Sequence, residues 1–366
     1  MADSRLFKTL KLGSIEIQHR IVMSPLTRFR ADDDHVPLPF VTEYYAQRAS
    51  IPGTLLVTEA TYISARHGGY PNAPGIWNSA QIEGWKNVTD AVHAKGSYIF
   101  LQLWALGRAS VSREFAGGPP MKVLGPSAVP LDDSYPDPHA MTIEEIKETV
   151  QEYVQAAKNA IEAGFDGVEI HGANGYLIDQ FIQDTTNKRT DKYGGSNDNR
   201  SRFAVEVTQA VVAAVGAERT GVRFSPWSSY QGMRMENPIP QFTDLIRKLD
   251  TLNIAYLHLV EGRVSGSSIV ESADSLNFAF DAFTGPILLA GGFTPDLARK
   301  VVDKEHKDRD VAIVFGRFFI STPDLVFRIQ HGLELNKYDR NSFYLAKSEK
   351  GYVDYPFSPE FLAAQA

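Results

Sequence analysis

The residues best suited to chemistry crowd into one stretch, Glu169-Ile-His-Gly-Ala-Asn-Gly-Tyr-Leu-Ile-Asp-Gln-Phe181. Phe165–Ile170 has the β-branched character of a short strand, and Tyr176, Leu177, Gln180 and Phe181 carry helical spacing. Gly172 and Gly175 allow a sharp turn between the two, so His171, Asn174 and Tyr176 can converge on one spot at the strand exit. His171 and Asn174 are neutral donors able to hold a carbonyl or nitro oxygen, and the Tyr176 phenol can deliver a proton. Taken alone, the same stretch also reads as a satisfied structural histidine beside residues that cap the next helix.

Placing three such groups requires a rigid frame, and the rest of the chain supplies the signs of one. After an opening that reads as a β-hairpin (Phe7 to Ile17), strand-like and helix-like segments alternate almost to the end. Eight strands are predicted, at Arg20–Ser24, Thr54–Glu59, Ser97–Leu103, Phe165–His171, Gly221–Ser225, Ile254–Val260, Pro286–Ala290 and Val311–Phe315. The helices between and after them fall at Phe40–Ala49, Ala80–Ala94, Thr142–Ala163, Ser201–Val215, Pro240–Thr251, Glu271–Phe283, Pro295–Asp303 and Thr322–Gly332. The clearest, Thr142–Ala163, opens on a capping box between Thr142 and Glu145 and closes on Gly164.

This rhythm predicts an α/β chain forming one (β/α)8 barrel domain over residues 1–366, with an N-terminal hairpin and a Gly/Pro/Ser-rich excursion, Trp104 to Ala140, after the third strand. An open doubly wound sheet would usually show a Gly-x-Gly-x-x-Gly motif after its first strand, and none follows Ser24.

In such a barrel the residues after each strand are the functional ones. They include Ser24-Pro-Leu-Thr-Arg28, Glu59-Ala-Thr, Gln102-Leu-Trp104, Ala290-Gly-Gly-Phe293 and Phe315-Gly-Arg-Phe318. Loops after strands seven and eight commonly bind phosphate; Gly291, Gly292 and Gly316 supply open backbone there and Arg317 a charge able to grip an anion. The alternative is a pair of tight turns with Arg317 paired to a carboxylate. Arg223, on strand five near the mouth, is costly to bury alone and so calls for an anion, an electron-rich ring or a salt bridge.

With 366 residues, 43% hydrophobic, a formal charge of -7 and no long basic run, the chain favours a small-molecule ligand over nucleic acid or an anionic membrane. The absence of cysteine excludes disulfides, thiolate metal sites and cysteine nucleophiles. No His-x-His pair or His-Glu-x-x-His helix points to a metal. No signal peptide or membrane span is evident, so a cytoplasmic protein, monomeric or homodimeric, is expected.

The motifs just quoted, with Asp191-Lys-Tyr-Gly-Gly195, Asn199-Arg200 and Gly351-Tyr-Val-Asp-Tyr-Pro356, closely resemble the Old Yellow Enzyme family of flavin-dependent ene-reductases. The resemblance spans nearly the whole chain. It implies non-covalent FMN at the barrel mouth, its phosphate on Arg317, Gly291, Gly292 and Gly316, and its ring against Pro25, Leu26, Thr27, Ala60, Gln102 and His171. Arg223 would lie by the ring's N1/O2 edge. It further implies NADPH or NADH as electron donor, His171 and Asn174 holding the substrate oxygen, and Tyr176 as proton donor. Substrates would be α,β-unsaturated aldehydes, ketones, imides or nitroalkenes. Some fungal members of this family carry phenylalanine at the position of Tyr176 and isomerise instead, so Tyr176 favours reduction.

Trp104 is expected as a pocket wall and Tyr344 at the entrance; Trp227 could line that entrance but reads better as core packing. A flavin-free barrel isomerase or aldolase acting on a phosphorylated small molecule is the competing reading. It would need a base at a strand end, and Glu59, Glu169 and Glu261 show no evident partner in the sequence. A ligand-binding barrel that has lost catalysis is a second alternative, against which the set His171, Asn174 and Tyr176 argues.

Overall fold

The computed structural model describes residues 3–111, 122–265, 268–269 and 274–365. Eight parallel strands close on themselves: β3 (Ile21–Met23), β4 (Leu55–Val57), β5 (Tyr98–Trp104), β6 (Gly167–His171), β7 (Thr220–Phe224), β8 (Tyr256–Val260), β9 (Ile287–Ala290) and β10 (Val311–Phe315), each beside the next, with β10 returning to β3. A short strand, Thr61–Tyr62, adds to the end of β5. The barrel strands are apolar almost throughout because both their faces are covered.

Alternation decides which face each residue serves. Ile99, Leu101, Leu103, Val168, Ile170, Val222, Leu257, Leu259, Ile287, Leu289 and Ile313 pack outward in one large cluster with the helices. Val22, Leu55, Val57, Phe100, Tyr256, Leu288, Ala290, Ala312 and Val314 point inward. The hairpin, β1 (Leu10–Leu12) with β2 (Ile15–Ile17), joins that inner cluster through Leu10, Leu12, Ile15 and Ile17, closing the end where the strands begin. Its turn passes so close to the barrel that a Cβ on Gly13 (φ +56°) would lie 1.9 Å from the Glu218 carbonyl oxygen. Polar groups are therefore left for the opposite end, where strands exit.

The helices follow from their ends as much as from their faces. The capping box expected at Thr142 forms: its hydroxyl accepts the Glu145 N–H, and the Glu145 carboxylate accepts the Thr142 N–H. The helix Ile143–Glu162 then buries Ile146, Val150, Tyr153 and Ala157 along one side.

Several boundaries depart from the expected ones. The helix read as Ser201–Val215 starts at Asn197, since Ser196 caps it by accepting the Asn199 N–H at 3.2 Å. The helix read as Thr322–Gly332 is Leu325–His331, starting only past Pro323, which cannot donate into a helix, and a separate short helix, Arg317–Ser321, precedes it. Pro295–Lys300 passes into a π turn, Val301–Glu305. Residues 271–273 of the helix read as Glu271–Phe283 lie outside the described residues; the described helix is Asn277–Ala282. Residues 112–121 of the excursion after β5 are likewise outside, while its described part pairs Leu124–Gly125 with His139–Ala140. A small antiparallel pair, Val264–Ser265 with Ser268–Ile269, had no sequence signal. Among the described residues no helix is long and apolar enough to cross a membrane.

Candidate active site

Strand register assembles the polar end of the barrel. Gln102 on β5 is level with Glu169 on β6, and His171, Arg223 and His258 stand side by side on β6, β7 and β8. All five are buried. Glu169 accepts bonds from Gln102 Nε2 (2.8 Å), His258 Nδ1 (2.8 Å) and the Tyr256 hydroxyl (3.1 Å). Burial pushes its carboxyl up, but His258, Arg223 and Gln102 outweigh that and hold it below its ordinary value. Burial lowers the His258 pKa, so a neutral ring donates through Nδ1 to a carboxylate.

Arg223 is the charged member of this layer that has no counter-ion among the described residues. Its Nε is buried without a partner, and among the described residues no carboxylate lies within ion-pair distance. The salt bridge weighed for it is not formed, which leaves a buried cation facing the mouth and in need of an anion or an electron-rich ring.

His171 and Tyr176 do meet, and Asn174 lies on the turn between them. His171 ends β6; burial, then Arg223 and His258, hold its pKa well below 6.5, so the ring is neutral. Its Nδ1 accepts the Ala173 N–H at 3.3 Å, which puts the ring proton on Nε2 and makes that nitrogen a donor. Asn174 adopts a left-handed conformation (φ 59°), fixed by its N–H donating to Ser225 Oγ at 2.8 Å. The Gly175 N–H donates to Asp179 Oδ2 at 2.8 Å. The Tyr176 ring then stands edge-on to His171, centroids 5.0 Å apart. Burial raises the Tyr176 pKa well above 10, so the phenol keeps its proton.

Aromatic rings wall this spot. Trp104 meets Tyr176 edge-on at 5.0 Å and stacks on Tyr62 (4.9 Å) and Tyr70 (5.9 Å). Phe29 continues the wall to Tyr344, which is 54% exposed. Trp227 takes no part in it: its indole N–H donates to the Ser275 carbonyl and its ring packs on Phe278.

The remaining expected cofactor residues lie at strand ends around the same opening. Pro25 and Ala60 are buried, while Leu26 and Thr27 are half-buried beyond β3. Gly292 has φ +66°, and Gly316 begins the helix Arg317–Ser321. A Cβ at Gly316 would meet nothing nearer than Leu26 Cδ2 at 3.4 Å, so that backbone is open. Gly291 instead packs on Glu261, whose carboxylate pairs with Arg263. Arg317 lies over the Tyr338 ring at 5.5 Å and pairs with no carboxylate among the described residues. A buried arginine without a counter-ion on β7, a second arginine without a carboxylate partner beside open glycine backbone after β10, and aromatic rings beside His171 fit a planar, anionic phosphate ester such as FMN.

The sequence reading missed several groups. Glu59, Glu169 and Glu261 are each engaged, correcting the view that none has a partner: Glu59 accepts the Arg28 N–H at 3.2 Å, and burial pushes its pKa up to about 7. Tyr256 and His258, at alternate positions of an apolar strand, could have marked the inner network. Nothing in the sequence marked Gln231 or Asp179.

The chain matches the NADH:flavin oxidoreductase / NADH oxidase family over residues 5–336. It is 54% identical to a chanoclavine-I aldehyde reductase of Penicillium roqueforti, covering 99% of this chain and 98% of that protein. It is 51% identical to a protein of Epichloe festucae var. lolii named "Probable inactive reductase", covering 99% and 97%. The crystal structure of Old Yellow Enzyme from a Pichia species superposes with a TM-score of 0.91 at 39% identity, covering 98% of this chain and 95% of that one.

Proposed function

The chain belongs to the NADH:flavin oxidoreductase / NADH oxidase family as an FMN-dependent enzyme of the Old Yellow Enzyme type, and from that premise we propose that it reduces the activated carbon–carbon double bond of α,β-unsaturated carbonyl or nitro compounds. The observation that carries this reading is the fixed tautomer of His171: a neutral ring whose Nδ1 is occupied presents only Nε2–H to the mouth. Beside it, the turn that Ser225 fixes offers Asn174 as a second donor. Together they hold the substrate's activating oxygen and stabilise the negative charge it gains as the β-carbon is attacked.

The chemistry that FMN supplies is hydride transfer, from NADPH or NADH to the β-carbon of the alkene. Arg317, Gly292 and Gly316 would hold its phosphate, and Pro25, Leu26, Thr27, Ala60, Gln102 and His171 its ring. Arg223 would meet negative charge on that ring, which its buried and unpaired guanidinium favours. Tyr176 then gives its proton to the α-carbon. Trp104 and Tyr344 bound the substrate's apolar body. The name of the Penicillium relative makes an α,β-unsaturated aldehyde the first substrate to try.

Phenols test the donor pair, since a phenolate oxygen mimics the charged oxygen of the reaction. The wild-type protein with FMN should give a long-wavelength charge-transfer band on adding p-chlorophenol. The variant carrying His171→Ala and Asn174→Ala should give none; a band of unchanged strength in that variant would show that the oxygen is held elsewhere.

A further inference from the structure

We propose that Gln231 is a positioning residue for Tyr176, its side-chain amide donating to the phenolic oxygen as the proton leaves. The inference rests on the reading of Tyr176 as proton donor given above.

Gln231 lies beyond β7, in the tight turn Tyr230–Gly232. Its backbone is left-handed (φ 57°, ψ 34°), a conformation unfavourable for a residue with a Cβ. The turn is held there from one side: Arg108 Nη2 donates to the Gln231 carbonyl at 2.8 Å, while Arg108 Nη1 donates to Pro130 O at 2.9 Å. On the other side it touches the catalytic turn, because a Cβ on Gly175 would lie only 2.7 Å from the Gln231 Cβ. Glycine at 175 is what lets the two turns meet.

The side chain so delivered ends in a buried amide whose Oε1 and Nε2 both lack a hydrogen-bond partner. Each such group left unpaired in the interior costs about 1–3 kcal/mol, so a strained backbone that holds one there points to a use. The amide is near enough to the Tyr176 and Tyr230 hydroxyls to favour their ionised forms, although neither pair has hydrogen-bond geometry. On this proposal, a shift of the amide brings its N–H onto the Tyr176 oxygen.

The reaction supplies the need. As the Tyr176 O–H bond breaks and a Cα–H bond forms, the electron pair of the O–H bond stays on a buried oxygen. Burial opposes that charge, and so do the phenols of Tyr70, Tyr230 and Tyr62. His171 is neutral, Arg223 is the nearby cation, and Asp179 lies one turn away on Gly175. Gln231 Nε2–H is the neutral donor that can follow the charge onto the oxygen; water then returns the proton.

A double-mutant cycle on the FMN-loaded protein tests this, with rapid mixing of the reduced protein and cyclohexenone. Gln231→Leu should slow enone reduction about tenfold in the wild-type background, the size of one lost bond to a charged group, and leave it unchanged in the Tyr176→Phe background. Its solvent isotope effect should rise, while NADPH-driven flavin reduction is the same with and without Gln231→Leu in each background. Should Gln231→Leu not retain flavin, Gln231→Asn replaces it: asparagine accepts the left-handed backbone, is one methylene short of Tyr176 and should give the same pattern. Equal slowing in both backgrounds, or none in either, overturns the role of Gln231. No loss in Tyr176→Phe alone overturns the proton-donor reading on which the role depends.

Discussion

At the scale of single residues, the site works by burying groups and so shifting their protonation equilibria. His171 stays neutral because burial and the Arg223 and His258 neighbours oppose a further positive charge. Asp179 is the counterpart on the acidic side: burial pushes its carboxyl up from 3.8 to about 7, against the bonds it accepts from Gln183 and Gly175. Between those two values the folded chain holds a proton that the unfolded chain has released, so this group's contribution to stability falls as pH rises through the window. Asp179→Asn keeps an acceptor for the Gly175 N–H and removes the titration. Thermal unfolding across pH should show the variant gaining on wild type as pH rises from about 4 to about 7, then running parallel to it. A constant gap across that range would place the titration elsewhere. The strand-to-turn junction that carries the three expected site residues was legible because glycines follow a short apolar strand there. Gln231 was not, since its importance comes from a left-handed backbone and a contact with Gly175 that no pattern announces.

At the scale of elements, helix ends were readable where a side chain caps them and misread where the cap lay outside the apolar pattern. Thr142 and Glu145 fixed one start, whereas Ser196 sits before a polar first turn and displaced another by four residues, from Ser201 to Asn197. The C-terminal segment had no regular periodicity, and the reason lies in how it is held. Arg30, fully buried, donates to the backbone carbonyls of Ser342, Phe343, Ser348 and Lys350, while Arg28 donates to Phe343 and Gly351. Burial lowers the Arg30 pKa only to about 10, so it stays charged at neutral pH. This grip brings Tyr344 beside Phe29 at the mouth. Arg30→Met should take its donors from the Ser342, Ser348 and Lys350 carbonyls at a cost on the order of 3 kcal/mol, lowering the Tm by several degrees and opening the segment around Tyr344 to protease. Wild-type Tm and cleavage pattern in that variant would mean the segment is held by its packing alone.

Across the whole molecule, period-two alternation divides the barrel into an outward face for helices and an inward face that is apolar at the hairpin end and polar at the exits. Strand count and helix order were visible in the sequence because parallel strands buried on both faces read as short apolar runs between amphipathic helices. Register was not visible, and register is what sets His171, Arg223 and His258 level and seats Gln102 against Glu169. The central claim is that this polar exit binds FMN and uses it to reduce an activated alkene. Its most direct test is the visible spectrum of the purified protein under anaerobic conditions, before and after NADPH and then after cyclohexenone. A flavin spectrum that bleaches with NADPH and returns with the enone is the predicted result. A protein that bleaches but stays reduced with the enone and with an α,β-unsaturated aldehyde, or that is colourless and takes up no FMN, would contradict it.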